Sequence, residues 1–571
     1  MLSFQEYASE KQIIQLLIKE RVKIAINSKL HNVSLQNIDK KENLTIYEQV
    51  ALLMPPRKSW KRPHRRERKK NNGTEEKSRK QVLTRSIALT IRHDRKNPEG
   101  HTYLQRLDEY VQSLRQIILS DTPLSFNSIK IGNKTKKISN GVKILRPLCI
   151  FESLTEKMLI ALASKYLSQA FDPLLHEEIL SYRPLRNYHN NTQPVITDRD
   201  NAIENLQQYR RRFRNKALYI AECDIQKYFD TINHDVIRKC FKDMAHKVKV
   251  LNPEFDYHFV ERILDAYLNS YSFYNNIDTL NENLLNSKSP RMFEGPKREL
   301  FIERGCYTED ELNNSLSKIG IPQGGALSGL ISNVVLNSID KESILSEPDS
   351  ERYFCRYGDD IMLIHTSKEK CQELIDNYCM ALTENKLLYH SFVSVGDNEF
   401  RYPDGTTRPC LWDQKSRTPY LWGRSDTDPE SVDWVGFLGY EIRYTGEVRM
   451  RRSSLNDKFK AIKRKYRSGA KTLIAKGEKT FASQEDFENE VLERVKRFKG
   501  DGLIGAKSLT YNKYSITQAI KLDKYLNHNM YRLLYKIARN NQCTKQAFRL
   551  LWLKTKDKGY NNYLQTINNP Q

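Results

Sequence analysis

No stretch of this 571-residue chain is apolar for long enough to cross a bilayer as a helix, so no membrane span is expected. The first apolar cluster, Ile13, Ile14, Leu16, Leu17 and Ile18, is broken by Gln15 and followed by Lys19, Glu20 and Arg21. That pattern lacks secretory-signal organisation and reads as an amphipathic helix of a cytoplasmic protein. Zinc-ligand spacing is missing as well: the nine cysteines, scattered from Cys149 to Cys543, form no CxxC pair and no Cys/His cluster. Reduced, buried thiols are the expectation. No repeat of the solenoid kind occurs. Acids are in short supply, 70 against 94 Lys and Arg, giving a net charge of +24. A polyanionic partner is implied, although charge alone does not separate RNA, DNA and a membrane surface.

What the chain does have is size, 39% hydrophobic residues and 29% charged ones, the profile of a globular protein with two to four subdomains. Residues 1 to about 56 read as helical, up to the breaker Pro55-Pro56. Arg57 to Lys80 is the most basic segment, either a solvated linker or a phosphate-gripping arm, with Trp60 and His64 as candidate stacking groups. Helical patterns dominate from about 82 to 215. Strands are expected at Leu218 to Ile225, Arg352 to Tyr357, Ile361 to His365, Phe437 to Tyr444 and Glu447 to Met450. Two polar stretches, about 274–318 and 396–432, look like loops or insertions rather than core elements.

Chemistry concentrates in three segments. Tyr357-Gly358-Asp359-Asp360 lies between two short apolar runs, so a hairpin bending at Gly358 would push adjacent carboxylates out at its tip. Adjacent acids repel, and a divalent cation is the economical way to hold them; an ordinary Gly-Asp turn is the alternative for the tetrapeptide alone. Asp224 closes the apolar strand Leu218 to Ile225, where a helix beginning FDTINHDVI should start. Metal-assisted phosphoryl transfer needs oxygen ligands from separate elements, and Asp224 with Asp359 would supply that bridge. Asp230 and Asp235 read as capping or surface acids of the helix start. The third segment, Ile321 to Asn337, opens on Pro-Gln-Gly-Gly, whose glycines permit close backbone approach while Gln323 can hydrogen-bond without adding charge.

In this order, Asp-bearing strand, PQGG helix, YGDD hairpin, the segments resemble the palm of reverse transcriptases, most closely the bacterial group II intron and retron lineage. Arg146 to Leu159 and Ser181 to Pro184 look like its finger blocks, and FLGYEI like its primer grip, so the resemblance covers about residues 142–465. The resemblance implies that Asp224, Asp359 and Asp360 are catalytic and metal-binding, with two Mg²⁺ ions and Mn²⁺ as a substitute. It implies a nucleotide site of Phe229, excluding a ribose 2′-hydroxyl, Gln323, and the finger arginines Arg183 and Arg146. The sequence departs from the family pattern at Gly329, where proline usually follows the serine, and at Gly358, where alanine or valine is commoner.

The fold class implied is α+β, a right-hand polymerase of fingers, palm and thumb with a helical N-terminal extension and a helical C-terminal tail. Its boundaries would be 1–100 for the extension, with the basic arm 57–80; 101–215 for fingers; 216–450 for a palm carrying the two insertions; and 451–571 for thumb and tail, where Lys458 to Lys476 reads as a basic duplex-gripping helix. The implied activity is RNA-directed DNA polymerisation from dNTPs, in bacterial anti-phage defence of the unknown-group or abortive-infection type. Implied partners are an RNA template, a DNA/RNA duplex, and a non-coding RNA, a partner protein or further copies of the chain. The alternatives are a maturase-type RNA-binding cofactor and an RNA-dependent RNA polymerase.

Overall fold

Ser3, Thr45 and Ser78 each accept a backbone N–H three residues on, while Glu6, Glu48 and Gln81 reach back to the cap. These capping boxes start three of the five N-terminal helices: α1 (Phe4–Tyr7), α2 (Glu10–Ile26), α3 (Ile46–Leu52), α4 (Arg79–Asp94) and α5 (Thr102–Leu119). The structure is a computed structural model describing residues 2–27, 44–64, 66–68, 78–139, 141–183, 199–285, 290–395, 399–401, 407–409, 415–425 and 430–457, with isolated positions elsewhere. The helix expected at Lys458 to Lys476 and the C-terminal tail lie outside these residues.

The N-terminal helices are not a detached module. Phe4, Leu17, Val22 and Leu107 belong to the same apolar core as Tyr166, Phe255, Leu336 and Leu363. Phe4 meets the rings of Tyr166 and Phe259 at 5.3 and 5.6 Å. The basic arm starts on this surface too: Lys61 N–H donates to Thr90 Oγ1 at 2.8 Å, and Ser86 Oγ donates to Lys61 O at 2.6 Å. Trp60, expected as a stacking group, is half-buried, with its Nε1 on Pro55 O and the Arg21 guanidinium over its ring. Packing therefore claims it.

Next come β1 (Lys130–Ser139), β2 (Val142–Ile150), α6 (Leu154–Phe171) and α7 (Arg199–Arg212). Helices dominate 82–215 as expected, but the β1–β2 hairpin interrupts them. Gly141 at the bend has φ +78°, and the exposed lysines of β1 weaken the apolar alternation by which a strand is recognised.

Then follow β3 (Tyr219–Asp224), α8 (Tyr228–Thr231), α9 (His234–Leu251), α10 (His258–Asn269), α11 (Thr279–Leu285), β4 (Arg291–Phe293), α12 (Arg298–Glu303) and α13 (Glu309–Ser315). The stretch 274–318 is a folded unit rather than a loop. Phe293, Phe301, Tyr307 and Leu312 bury against Phe273 and Leu145, and β4 adds parallel to β2.

The remaining elements are α14 (Ser328–Glu342), β5 (Tyr353–Tyr357), β6 (Asp360–His365), α15 (Lys368–Glu384), β7 (Phe392–Val393), β8 (Glu399–Arg401), β9 (Thr407–Pro409), β10 (Ser416–Trp422), β11 (Ser431–Val432), β12 (Trp434–Phe437), β13 (Tyr440–Arg443) and β14 (Val448–Met450). The central sheet runs β11-β10-β3-β6-β5, with β7 beside β10. Strand β10 overturns the reading of 396–432 as peripheral, since it pairs antiparallel with β3 in the middle of the sheet. Its buried ion pair, Arg417 with Glu222, puts a charge where the apolar pattern of a core strand is expected. The stretch Phe437 to Tyr444 is not one strand but two, because Leu438 and Gly439 turn with φ +50° and +88°.

Candidate active site

Strand pairing brings the three acids together. In the antiparallel β3–β6 register Asp224 lies opposite Asp360, and in β5–β6 Tyr357 lies opposite Asp360, leaving Gly358 and Asp359 as the bend. Gly358 has φ +76°, a conformation glycine adopts without steric cost. The bend is held from behind. Its Gly358 N–H donates to Ser181 Oγ at 2.6 Å, and its carbonyl accepts from Arg356 Nη1 at 3.3 Å. Arg356 is fully buried and paired with Asp340 of α14 at 2.7 Å. Such a pair contributes less to stability than to fixing position, since losing either partner strands a buried charge.

Burial raises the pKa of Asp359, and Asp224 adds to the effect. Asp360 is exposed, yet desolvation by the protein around it, then the charges of Asp359 and Asp224, push its carboxyl up to about 6. Crowded carboxylates of this kind are hard oxygen donors that gain most from a divalent cation. Asp224 is fixed by its backbone: its N–H donates to Ser416 Oγ at 3.1 Å, and its carbonyl accepts from His390 N–H at 3.0 Å. Its carboxylate is met by the Lys415 ammonium, with His390 Nε2 at 3.8 Å. Among the described residues no three acidic, histidine or cysteine side chains already converge as a metal cage. The donor set fits a hard divalent ion in its chemistry, with Asp224 turned to Lys415.

Beside the acids lies a cavity of about 460 Å³, lined by Arg146, Tyr182, Phe229, Gln323 and the glycines of the PQGG turn. Phe229 is half-buried on α8, edge-to-face with Tyr228 at 5.4 Å. The α8 turn is laced to the PQGG approach: Ile321 N–H donates to Phe229 O at 2.7 Å, Gly320 N–H to Ile232 O at 2.8 Å, and Gln323 Nε2 to Asp230 Oδ1 at 3.1 Å. Asp230 is thus no surface acid. It is buried, with its carboxyl pushed up to about 6, and Asn233 caps α9 instead. Asp235 pairs with Lys318 and Arg238.

Arg146 is exposed on β2, and its charge acts on Asp359 and Asp230. Arg183 is a different matter and a correction. Its side chain is fully buried, donating to Asp172 Oδ1, Asp172 O, His176 O and Ile179 O at 2.6 to 3.0 Å. Pulling it out to a triphosphate would break a buried ion pair and three hydrogen bonds to backbone carbonyls at a cost of several kcal/mol, so Arg183 braces the 172–183 loop. Sequence reading also missed Lys415 and Ser416, because the polar stretch around 396–432 gave no sign of a core strand, and His390, which no motif singles out.

His234 locks the same framework, Nε2 meeting Gly320 O at 2.7 Å, and burial holds its pKa down to about 4. The unfolded chain takes up a proton near pH 6.5 and the folded chain only near 4, so this stability is present above pH 6.5 and lost as pH falls towards 4. By pH 5 the loss should be about 2 kcal/mol. His234→Gln, which keeps a donor but does not titrate, should therefore lose less stability than wild type between pH 7 and 5 in urea unfolding. Equal losses would place the acid sensitivity elsewhere.

All seven described cysteines are free, and all but Cys149 are buried. No helix among the described residues is long and apolar enough to cross a membrane.

Comparison with known proteins bears on residues 134–390, which match the family described as reverse transcriptase (RNA-dependent DNA polymerase). No curated protein matches the chain. Among solved structures, apo telomerase from Candida tropicalis truncated from its C-terminal domain is 11% identical, with 58% of this chain and 56% of that one covered and a TM-score of 0.32. The chain thus spans little more than half the length of that structure. Apo telomerase from the same organism is 11% identical over 76% of this chain and 70% of that one, TM-score 0.36. Telomerase from Candida albicans with a TWJ fragment of telomeric RNA is 12% identical over 82% and 69%, TM-score 0.33. Likeness at that level carries no conclusion about function. The family match bears on residues 134–390 alone, less than half of the chain, which are similar to a reverse transcriptase domain.

Proposed function

We propose that this chain copies an RNA template by adding dNTPs to a primer 3′-hydroxyl, with Asp224, Asp359 and Asp360 as the metal-holding carboxylates. The observation that carries the reading is the strand register that sets Asp224 against Asp360, with Asp359 on the adjoining bend. Two divalent ions, Mg²⁺ by ligand type with Mn²⁺ as a substitute, would supply charge neutralisation at the attacking and leaving oxygens. The chain's own groups do the positioning. Phe229 fills the space of a ribose 2′-hydroxyl, Gln323 is set by Asp230 to face the nucleotide, and Arg146 offers a charge to the triphosphate. Residues 101–215 act as fingers and 216–450 as palm, with 451–571 as thumb and tail. Primer extension with dNTPs on a defined RNA template tests the reading; no DNA product would overturn it.

Polynucleotide grip falls to the basic surface. Lys58, Lys61 and Arg62 are exposed on the N-terminal arm. Changing all three to Gln should weaken RNA or duplex binding and flatten the dependence of log K on log salt by roughly 0.7–0.9 for each phosphate no longer neutralised. An unaltered slope would mark the arm as merely solvated. The biological setting implied by the resemblance is anti-phage defence. Plaque counts on cells carrying wild type or Asp359→Asn test it, since protection that survives the substitution would separate defence from synthesis.

A further inference from the structure

Gly329 and Gly358, the two positions at which the sequence departs from the reverse transcriptase pattern, both face Tyr182. A Cβ on Gly329 would lie 2.9 Å from Tyr182 Cγ and 3.0 Å from its Cβ and Cδ1. Those atoms are the root of the side chain, which is not free to swing aside. Ser181 before it is buried, its carbonyl accepting from Asn333 Nδ2 at 2.8 Å and its hydroxyl holding the Gly358 N–H. Arg183 after it is locked by its four hydrogen bonds. At the other end, Tyr182 Cε2 lies 3.7 Å and its hydroxyl 3.9 Å from where a Gly358 Cβ would be. The side chain therefore spans from the start of α14 to the bend that carries Asp359.

This placement is costly. Tyr182 has φ +55°, a left-handed conformation that bulky residues seldom adopt. Glycine at 329, in the first turn of α14, also gives up helix propensity relative to alanine. Nor does core packing repay the strain, because Tyr182 is 56% exposed. It lines the same cavity as Phe229, Gln323 and Arg146. A strained backbone that holds an aromatic ring open to a cavity beside reactive acids has a ligand as its purpose.

We propose that Tyr182 is a substrate-binding residue whose ring forms the wall against which the base and sugar of the incoming nucleoside triphosphate pack. The inference rests on the reading of this cavity as the nucleotide site. Aromatic rings serve that role without sequence preference, because every base presents a π-face. Gly329 is then the clearance the ring requires, while a Cβ at 358 would meet the ring only in ordinary van der Waals contact.

The test is single-nucleotide addition by the full chain, with KM and kcat resolved. Tyr182→Ala should raise KM for each dNTP about tenfold, the scale of one base–aromatic stack, with a much smaller change in kcat. Tyr182→Phe should recover most of that binding. Gly329→Ala should raise KM in the same way by displacing the ring, and in the Tyr182→Ala background it should add nothing further. Tyr182→Gly relieves the left-handed strain, so its Tm should not fall although its KM rises. An unchanged KM in Tyr182→Ala, or a full additional loss from Gly329→Ala in that background, would overturn the inference. Asp359→Asn separates the two levels: if it is inactive while Tyr182→Ala keeps wild-type KM, only the role of Tyr182 fails; if it is active, the reading of the site fails.

Discussion

Asp359→Asn will abolish nucleotide addition, a loss of at least about 10³-fold or ~4 kcal/mol in the barrier, while the chain stays folded and binds RNA. The split between activity and stability is the informative part. Asp359 is half-buried and Asp360 exposed, and the surrounding protein with the charge of Asp224 drives both pKa values upward, Asp359 adding to the shift of Asp360. Neutralising one relieves that repulsion, so the urea midpoint should hold or rise. Asp224→Asn should be as inactive. Its stability cost should be small, since the Lys415 ion pair it weakens is largely exposed on the lysine side and worth ~1 kcal/mol or less. A folded Asp359→Asn protein with wild-type incorporation would remove the hairpin from the active site.

Phe229→Ala should open the sugar site to ribonucleotides. The ring is half-buried at the cavity wall, and its backbone is tied to Ile321, so truncation leaves the frame in place and removes only bulk. Wild type should prefer dNTP over the matched NTP, and the variant should lose discrimination on the order of 100-fold, ~2–3 kcal/mol. The quantity to compare is the ratio of kcat/KM for dNTP and NTP, because a general loss would lower both. If wild type uses NTPs equally well, RNA synthesis becomes the better reading; if the alanine variant keeps its preference, Phe229 only packs.

The strand ends that carry the acids are legible because their sequence context is local. An apolar run ending in Asp224 and a second run bent at Gly358 announce two strands and their polar ends. Adjacency of β3 and β6 follows from no local rule; the order of motifs supplied it. What sequence did not disclose was stabilised over distance. The hairpin of β1 and β2 has lysines where alternation should show apolar residues, and β10 carries Arg417 into the sheet on the strength of a partner, Glu222, far away in the chain. Arg183 shows the converse error. A motif arginine looks like a phosphate ligand until its donors are seen to be spent on Asp172 and three backbone carbonyls. Asp230 looks like a capping acid in sequence because Gln323, its hydrogen-bond donor, lies far away on another element.

The central claim is that these residues build DNA from an RNA template, and sequencing the product tests it most directly. Wild-type protein, a heteropolymeric RNA annealed to a short primer, all four dNTPs and Mg²⁺ should yield DNA complementary to the template, with no product from Asp359→Asn. A product of ribonucleotides, a DNA unrelated to the template, or equal synthesis by the Asp359→Asn protein would contradict the account.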